Sequence, residues 1–325
     1  MTRILSYNIL VGGTKRVEPL ARMIETANPD VVGLVEATDP HAVEELGRKL
    51  GMQHVMSGCA DHADDWQVAL LSRLPIVYTK THIRPHDITK PVLEACLEEE
   101  NGERLTVFVT HLTASFSKGR GGDGIRQREV RELLQIMGEK RGTSHLIMGD
   151  FNAMAPGDTF SASTLLRYIV EIDKRYQQNP EVTQGHPYLN FVVPGPLRIF
   201  NPLLRLIPQS KLLCALFDLA ASIYAPRGSI GLLKNAGYVD CFRQSNPSVP
   251  GFSCPAAAPA GRIDFIFASP ELAENLASCY IPTEGAGVRG EEASDHLPVV
   301  ADFGIGVERQ DLESILRDAA EEVEV

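Results

Sequence analysis

Eight polar side chains sit at the ends of apolar runs. Asn8 closes "RILSYN", Glu36 follows "VVGLV" and His111 follows "VFVT". Asp150 and Asn152 follow "LIMG", Asp264 opens "DFIF", and Asp295 with His296 precedes "LPVV". Taken singly, each has an ordinary explanation: a turn residue, a cap, a hydrogen-bonded core histidine or, for Asp264, a pair with Arg262. Taken together, every one of those explanations must hold at once, although a buried polar group is costly unless it is paired or liganded. A shared site is the simpler reading. Carboxylates and a carboxamide carbonyl form a hard-oxygen donor set suited to Mg²⁺ or Mn²⁺. A histidine whose tautomer is fixed by a carboxylate is a general base. With a cation polarising a phosphoryl oxygen, these are the parts for attack of water on a phosphoester.

Such a site requires strands whose ends converge. "RILSYNIL" predicts a strand almost at the first residue, "VEPLARMIETA" a helix over 17–27, "VVGLVEA" a buried strand, and "HAVEELGRKLGM" a helix ending near Gly51. "QVALLSR", "PIVYTKTHIR", "VLEACLEEENG" and "RLTVFVTHL" predict four strands, with Asn101-Gly102 as a hairpin turn. The Gly-rich run "SKGRGGDG" (117–124) is expected as a loop. "IRQREVRELLQIMGEKRG" then reads as a helix that carries Arg126, Arg128 and Arg131 on a solvated face. Beyond the strand "HLIMGDFN" the pattern changes. "STLLRYIVEIDKRY" and "SKLLCALFDLAASIYA" predict helices on either side of a Pro-rich apolar stretch. "GLLKNAGYVDCF", "GRIDFIFAS" and "SDHLPVVADF" return to strand-like segments, and "RQDLESILRDAAEEVEV" predicts a short acidic helix at 306–325. Hairpins mixed with strand–helix alternation imply a large mixed-sheet α/β or α+β domain over 1–305, with a long, partly helical insertion at about 156–228.

Composition narrows the function. The chain carries a formal net charge of −11, which argues against a protein that coats itself with nucleic acid but suits an acidic cleft that collects divalent cations. The six cysteines, Cys59, Cys96, Cys214, Cys241, Cys254 and Cys279, include no CxxC pair, so reduced thiols in a cytoplasmic protein are expected rather than a disulfide framework or a zinc site. No signal peptide or transmembrane segment is expected. The longest apolar region, "LLCALFDLAASIYA", contains Asp218 and is too short to span a bilayer.

In order along the chain, "SYNIL", "GLVEA", "LLSRLPI", "VTHL", "GDFN", "GRIDFIF" and "SDHLPV" resemble the signature blocks of the endonuclease/exonuclease/phosphatase superfamily, whose members include deoxyribonuclease I, abasic-site endonucleases, neutral sphingomyelinases and inositol-polyphosphate 5-phosphatases. The resemblance covers roughly 1–155 and 228–305. It implies a four-layer α-β-β-α sandwich of two mixed sheets and a Mg²⁺-dependent phosphoesterase, with Mn²⁺ as a substitute ion. By the same resemblance Glu36 is the principal metal ligand, Asn8 supports metal and phosphate, and Asp295 helps to hold the metal site. His296 takes a proton from the attacking water and Asp264 orients His296. Asp150 and Asn152 position the nucleophile, and His111 hydrogen-bonds a phosphoryl oxygen.

The chain departs from that pattern in two places. Val35 stands where many relatives have Gln before the metal-binding Glu, and about 110 residues separate "GDFN" from "RIDF", more than most relatives have. The added length is expected either to shape the substrate cleft or to serve as a packing or oligomer surface. Lys118, Arg120 and the loop glycines offer phosphate contacts without forming a P-loop. The expected substrate is a phosphorylated small molecule or a lipid headgroup, with nucleic acid as the alternative. A non-catalytic binding protein is disfavoured because every core position of the site is filled. No obligate protein partner is implied.

Overall fold

The computed structural model describes residues 1–58, 66–83, 88–114, 120–178, 193, 195–225 and 227–304. The first strand, β1 (Thr2–Asn8), is buried on both faces, which marks it as a central strand. It pairs in parallel with β2 (Val31–Val35) and antiparallel with β14 (Val299–Phe303). β11 (Leu276–Tyr280), β4 (Val68–Ser72) and β3 (Gln53–Met56) complete a six-stranded sheet in the order β11-β14-β1-β2-β4-β3. The second sheet runs β5 (Ile76–His82), β6 (Val92–Glu98), β7 (Arg104–His111), β8 (His145–Asp150), β10 (Asp264–Ala268) and β9 (Val239–Asp240). A small hairpin, β12 (Glu284–Gly285) and β13 (Val288–Arg289), stands apart.

The two sheets pack face to face through Ile4, Val31 and Leu70 on one side and Leu93, Val107, Met148 and Ile266 on the other. Helices cover the outer faces. Leu20 and Ile24 of α1 (Val17–Ala27) and Val43 and Leu46 of α2 (Pro40–Leu50) pack on Leu5, Val32 and Leu34 of the first sheet. Asp39 caps α2 by accepting from the His41 and Ala42 N–H groups, and Gly51 ends it in the left-handed region as expected. On the second sheet, Val130, Leu133 and Met137 of α3 (Arg120–Gly138) cover Phe108, Ile147, Phe265 and Phe267. The result is the four-layer sandwich. The expected 156–228 segment contributes α4 (Ala162–Gln178) and α5 (Lys211–Tyr224).

Three local expectations are corrected. "GLLKNAGYVDCF" was expected to be strand-like, but Gly228–Asn235 forms helix α6, because Ile230 and Leu233 at helical spacing pack into the α3 layer; only Val239–Asp240 is strand. The Gly-rich run is helical from Arg120, with Asp123 in the first turn where an acidic side chain favours the helix dipole. Arg126 does not face solvent: it is 1% exposed and donates to the Thr113 carbonyl. Residues 117–119 and the helix expected at 306–325 lie outside the described residues, as does Cys59. The other five cysteines form no disulfide.

Gly149 shows how tightly β7 and β8 approach. Its φ is +143°, and a Cβ at this position would stand 1.9 Å from the Thr110 carbonyl oxygen on the neighbouring strand. A side chain there must both strain the backbone and part the strands. Gly149→Ala is expected to destabilise the fold by about 3 kcal/mol or more, read from the denaturant midpoint. A loss below about 1 kcal/mol, within the range of ordinary core adjustment, would show that the strands separate freely.

Candidate active site

All eight candidate residues lie at one end of the sandwich. Asn8, His111 and Asp150 are the last residues of β1, β7 and β8, Glu36 follows β2, and Asp264 opens β10. Strand register does much of the positioning, since Asp150 pairs directly with His111 on one side and with Asp264 on the other. Two turns are held in the left-handed region, at Glu36 (φ 60°) and Asn152 (φ 48°). Such strain concentrates where the surrounding fold fixes a functional side chain. The turn at Glu36 is locked by the Gly12 N–H donating to the Glu36 carbonyl.

His296 and Asp264 form the most defined pair. His296 Nδ1 lies 2.8 Å from Asp264 Oδ2, which also accepts from the Ser253 hydroxyl at 2.7 Å. Ser253 Oγ in turn accepts from the Ile263 and Asp264 N–H groups. With Nδ1 held as donor, Nε2 is left to accept, and it points toward Asp150 Oδ2 at 3.9 Å. Burial alone would push the His296 imidazole down, but Asp264 and the neighbouring Asp295 hold it well above the ordinary histidine value. Asp150 is pushed up to about 7, first by burial and then by Asp264.

Asn8 bridges the two halves of the site. Its Nδ2 donates to Glu36 Oε1 (3.1 Å) and Asp150 Oδ2 (3.2 Å), while its carbonyl accepts from the Leu10 N–H. Glu36 Oε2 accepts from the Val11 N–H at 2.8 Å, and burial followed by the charge of Asp295 raises the Glu36 carboxyl. Asp295 is 8% exposed, and its Oδ1 is buried without a hydrogen-bond partner. Ser294 Oγ donates to the backbone carbonyl of Asn8 at 2.6 Å, distinct from the side-chain Oδ1 that accepts from Leu10, and this ties the 294–296 turn to β1. Asn152 donates from Nδ2 to the Leu112 carbonyl and to Asp150, and its own N–H donates to Asp150 Oδ1. His111 Nε2 lies 3.6 Å from Asp150 Oδ2; burial, then Lys90 and His296, push this imidazole well below the ordinary range, so it is neutral.

Sequence reasoning missed four neighbours. Ser253 fixes Asp264, and Cys254 Sγ lies 3.6 Å from His296 Nε2. Trp66 stands edge-on to His111, and Lys90 lies 5.6 Å from the Trp66 ring centroid while donating to the Leu112 carbonyl. Lys90 is pushed down to about 8 by burial, against the pull of Asp150 and Glu36. None of the four ends an apolar run. Trp66, the single tryptophan of the chain, was the one available signal.

The orphaned Asp295 oxygen and the raised Glu36 carboxyl fit a hard divalent cation, because both are relieved by positive charge and both offer oxygen. A second acidic group, Asp150, Asp264 and His296, brings its ligand atoms within 4.8 Å of one another. There Asp264 Oδ2 already holds His296 and Ser253, so that triad has the connectivity of a proton relay.

The sequence profile of the Endonuclease/Exonuclease/phosphatase family matches residues 5–296. No curated protein matches the chain. Among solved structures it is similar to an AP endonuclease from Archaeoglobus fulgidus, with a TM-score of 0.58, 16% identity and coverage of 94% of this chain and 100% of that one. It is also similar to a 3′-5′ exonuclease from Neisseria meningitidis, with a TM-score of 0.56, 18% identity and coverage of 93% and 99%. A family protein from Bacteroides thetaiotaomicron is likewise similar, with a TM-score of 0.56, 15% identity and coverage of 92% and 96%. At these identities the likeness establishes the fold.

Proposed function

Since this chain belongs to the endonuclease/exonuclease/phosphatase family of metal-dependent phosphoester hydrolases, we propose that it hydrolyses a phosphoester of a small molecule or lipid headgroup with Mg²⁺ or Mn²⁺ bound by Glu36 and Asp295. The observation that carries the chemistry is the His296–Asp264 pair, which leaves Nε2 as the accepting nitrogen, with Asp150 Oδ2 facing it at 3.9 Å and Cys254 Sγ beside it at 3.6 Å. A water between the two gives its proton to His296 Nε2 as its oxygen attacks phosphorus and the ester oxygen leaves. Asp264 keeps the imidazole in the accepting tautomer and stabilises the imidazolium that forms. Asn152 holds Asp150 in place, and neutral His111 donates to a phosphoryl oxygen as charge develops there. Asn8 keeps Glu36 and Asp150 in register, and its carbonyl retains a second lone pair for the ion. When bound, the cation supplies Lewis-acid polarisation of the phosphoryl oxygen.

The preference for a small substrate over DNA rests on where the cations go. Among the described residues, Arg16 donates to the Leu10 and Ala293 carbonyls, Arg126 to Thr113, and Arg262 to the carboxylates of Asp158 and Asp240. These three guanidinium groups serve the fold and are not available to a phosphate backbone, whose binding requires Lys and Arg along a groove. A panel of bis-p-nitrophenyl phosphate, phosphorylated metabolites, phospholipid headgroup esters and supercoiled plasmid, each with Mg²⁺ or Mn²⁺, separates the readings. Turnover of small esters with plasmid left intact is expected. Plasmid nicking that exceeds small-ester turnover and is lost in Glu36→Ala would establish a nuclease instead.

A further inference from the structure

Helix α5 exposes the face that should be polar. Its inward positions Phe217 and Asp218 turn toward α4, Asp218 accepting from both the backbone N–H and the hydroxyl of Ser163, while Cys214 Sγ donates to the Ile207 carbonyl of the preceding segment. Its outward positions are Leu212, Leu216, Leu219 and Ile223, an i, i+4, i+7, i+11 stripe that is 55–75% exposed. The preceding segment, Arg198–Gln209, adds Ile199 and Leu203 to the same kind of surface and meets α5 at a bend of 119°. Of sixteen large apolar side chains exposed among the described residues, ten fall between residues 199 and 224. A contiguous apolar surface of that kind marks a docking site.

Charge decides what docks. Residues 195–227 carry Arg198, Arg205, Lys211 and Arg227 against one acidic residue, Asp218, in a chain whose 42 acidic residues outnumber 31 basic ones. Asp218 is engaged inward, Arg205 is paired with Asp173 of α4 and Arg227 donates to the Ser222 and Asp158 carbonyls, so Arg198 and Lys211 form the cationic margin of the apolar surface within an otherwise acidic protein. A second copy of the chain would bring that margin against itself. An anionic lipid surface complements it, offering acyl chains to the stripe and headgroup phosphates to Arg198 and Lys211.

We propose that residues 195–225 are a membrane-docking element that lies in the interface of an anionic lipid bilayer. α5 alone is too short to span: it has 14 residues, about 21 Å at 1.5 Å per residue, against a hydrocarbon core of about 30 Å, and a 119° bend separates it from Arg198–Gln209. No single described helix is long and apolar enough to cross a membrane. The element is anchored beside the active-site end of the sandwich. Ser161, at the start of α4, donates to the Ala260 carbonyl just before the "GRIDFIF" segment, and Arg227 donates to the Asp158 carbonyl. The inference concerns where the protein sits, and it stands independently of the bond that the site cleaves.

Co-sedimentation of the full chain with vesicles tests it. Wild type is expected to pellet with vesicles of phosphatidylcholine mixed with phosphatidylglycerol, more weakly with phosphatidylcholine alone, and less as salt rises. Replacing Leu212, Leu216, Leu219 and Ile223 together by serine is expected to lower the partition coefficient at least about a hundredfold. Arg198→Glu with Lys211→Glu is expected to lower it about tenfold on the anionic vesicles and to leave neutral vesicles unaffected. Both variants should keep the wild-type circular dichroism and hydrolysis of bis-p-nitrophenyl phosphate. Wild type that ignores both vesicles overturns the proposal, as does vesicle binding indifferent to both variants. So does a wild-type dimer in sedimentation velocity that the serine variant dissociates while neither protein binds vesicles.

Discussion

His296→Ala is expected to lower kcat for a small phosphodiester by about three orders of magnitude, with the melting temperature close to wild type. The size follows from the role. A positioned base contributes about 10²–10⁴ to rate, and alanine leaves nothing at Nε2 to accept the water's proton. Asp264→Asn tests the same relay one step back. It leaves the shape intact but removes the charge that fixes the tautomer and holds the imidazole high. Its kcat is expected to fall about a hundredfold or more. The pH profile separates this from simple damage. The imidazole must be neutral to act as a base, so activity rises with pH as His296 loses its proton. Asp264 raises that pKa, so removing the carboxylate moves the acid limb of the profile to lower pH, even as the plateau drops. Steady-state rates of the three proteins across pH, at saturating Mg²⁺ or Mn²⁺, make the comparison. Equal plateaus for wild type and His296→Ala would sink the relay.

The same pair shows what a sequence can reveal about such a site. Asp264 and His296 were legible because each interrupts or precedes a run of apolar strand residues, where a charge without a purpose is costly. The architecture was legible for the same reason: β2, β8 and β10 are central strands with nearly unbroken apolar runs, and β1 and β7 are central strands dominated by apolar residues. Ser253 was not legible. It acts on Asp264 from a segment without regular structure, through contacts that only the folded chain creates. Lys90 and Trp66 reach His111 and Asp150 from outside any strand end, so no local pattern marks them. Arg126 misled because its helical spacing is that of a solvated face. Its burial depends on the Thr113 carbonyl, which the β7-to-α3 connection carries over it. The helix at Gly228–Asn235 was misread because a short apolar run carries no reliable period, and the α3 surface it packs against decides its conformation.

Glu36→Gln should separate stability from function with opposite signs. In the metal-free protein the ionised carboxylate is disfavoured, chiefly by burial and then by Asp295, so its pKa is raised on folding. A carboxyl raised on folding contributes stability that is full at low pH and lost as pH rises through the raised value. At neutral pH, ionised Glu36 is therefore a cost to the metal-free fold. Glutamine removes that charge in the same shape, so metal-free Glu36→Gln is expected to melt at or above the wild-type temperature. The cation reverses the order. Mg²⁺ or Mn²⁺ binds the folded wild type and raises its melting temperature by mass action. The variant has lost the charge, so its dissociation constant by calorimetric titration should rise more than about a hundredfold, beyond the 10–100-fold typical of disturbing an outer-sphere partner. Its metal-induced melting shift should shrink accordingly, and its turnover should fall toward that of wild type stripped with EDTA. Calorimetry and melting do not depend on activity, so they report on the ion even if the substrate is chosen wrongly. An undiminished metal-induced shift in Glu36→Gln would place the ion elsewhere, with the Asp150, Asp264 and His296 group next in line. The orphaned Asp295 oxygen and the raised Glu36 carboxyl would then need another source of positive charge.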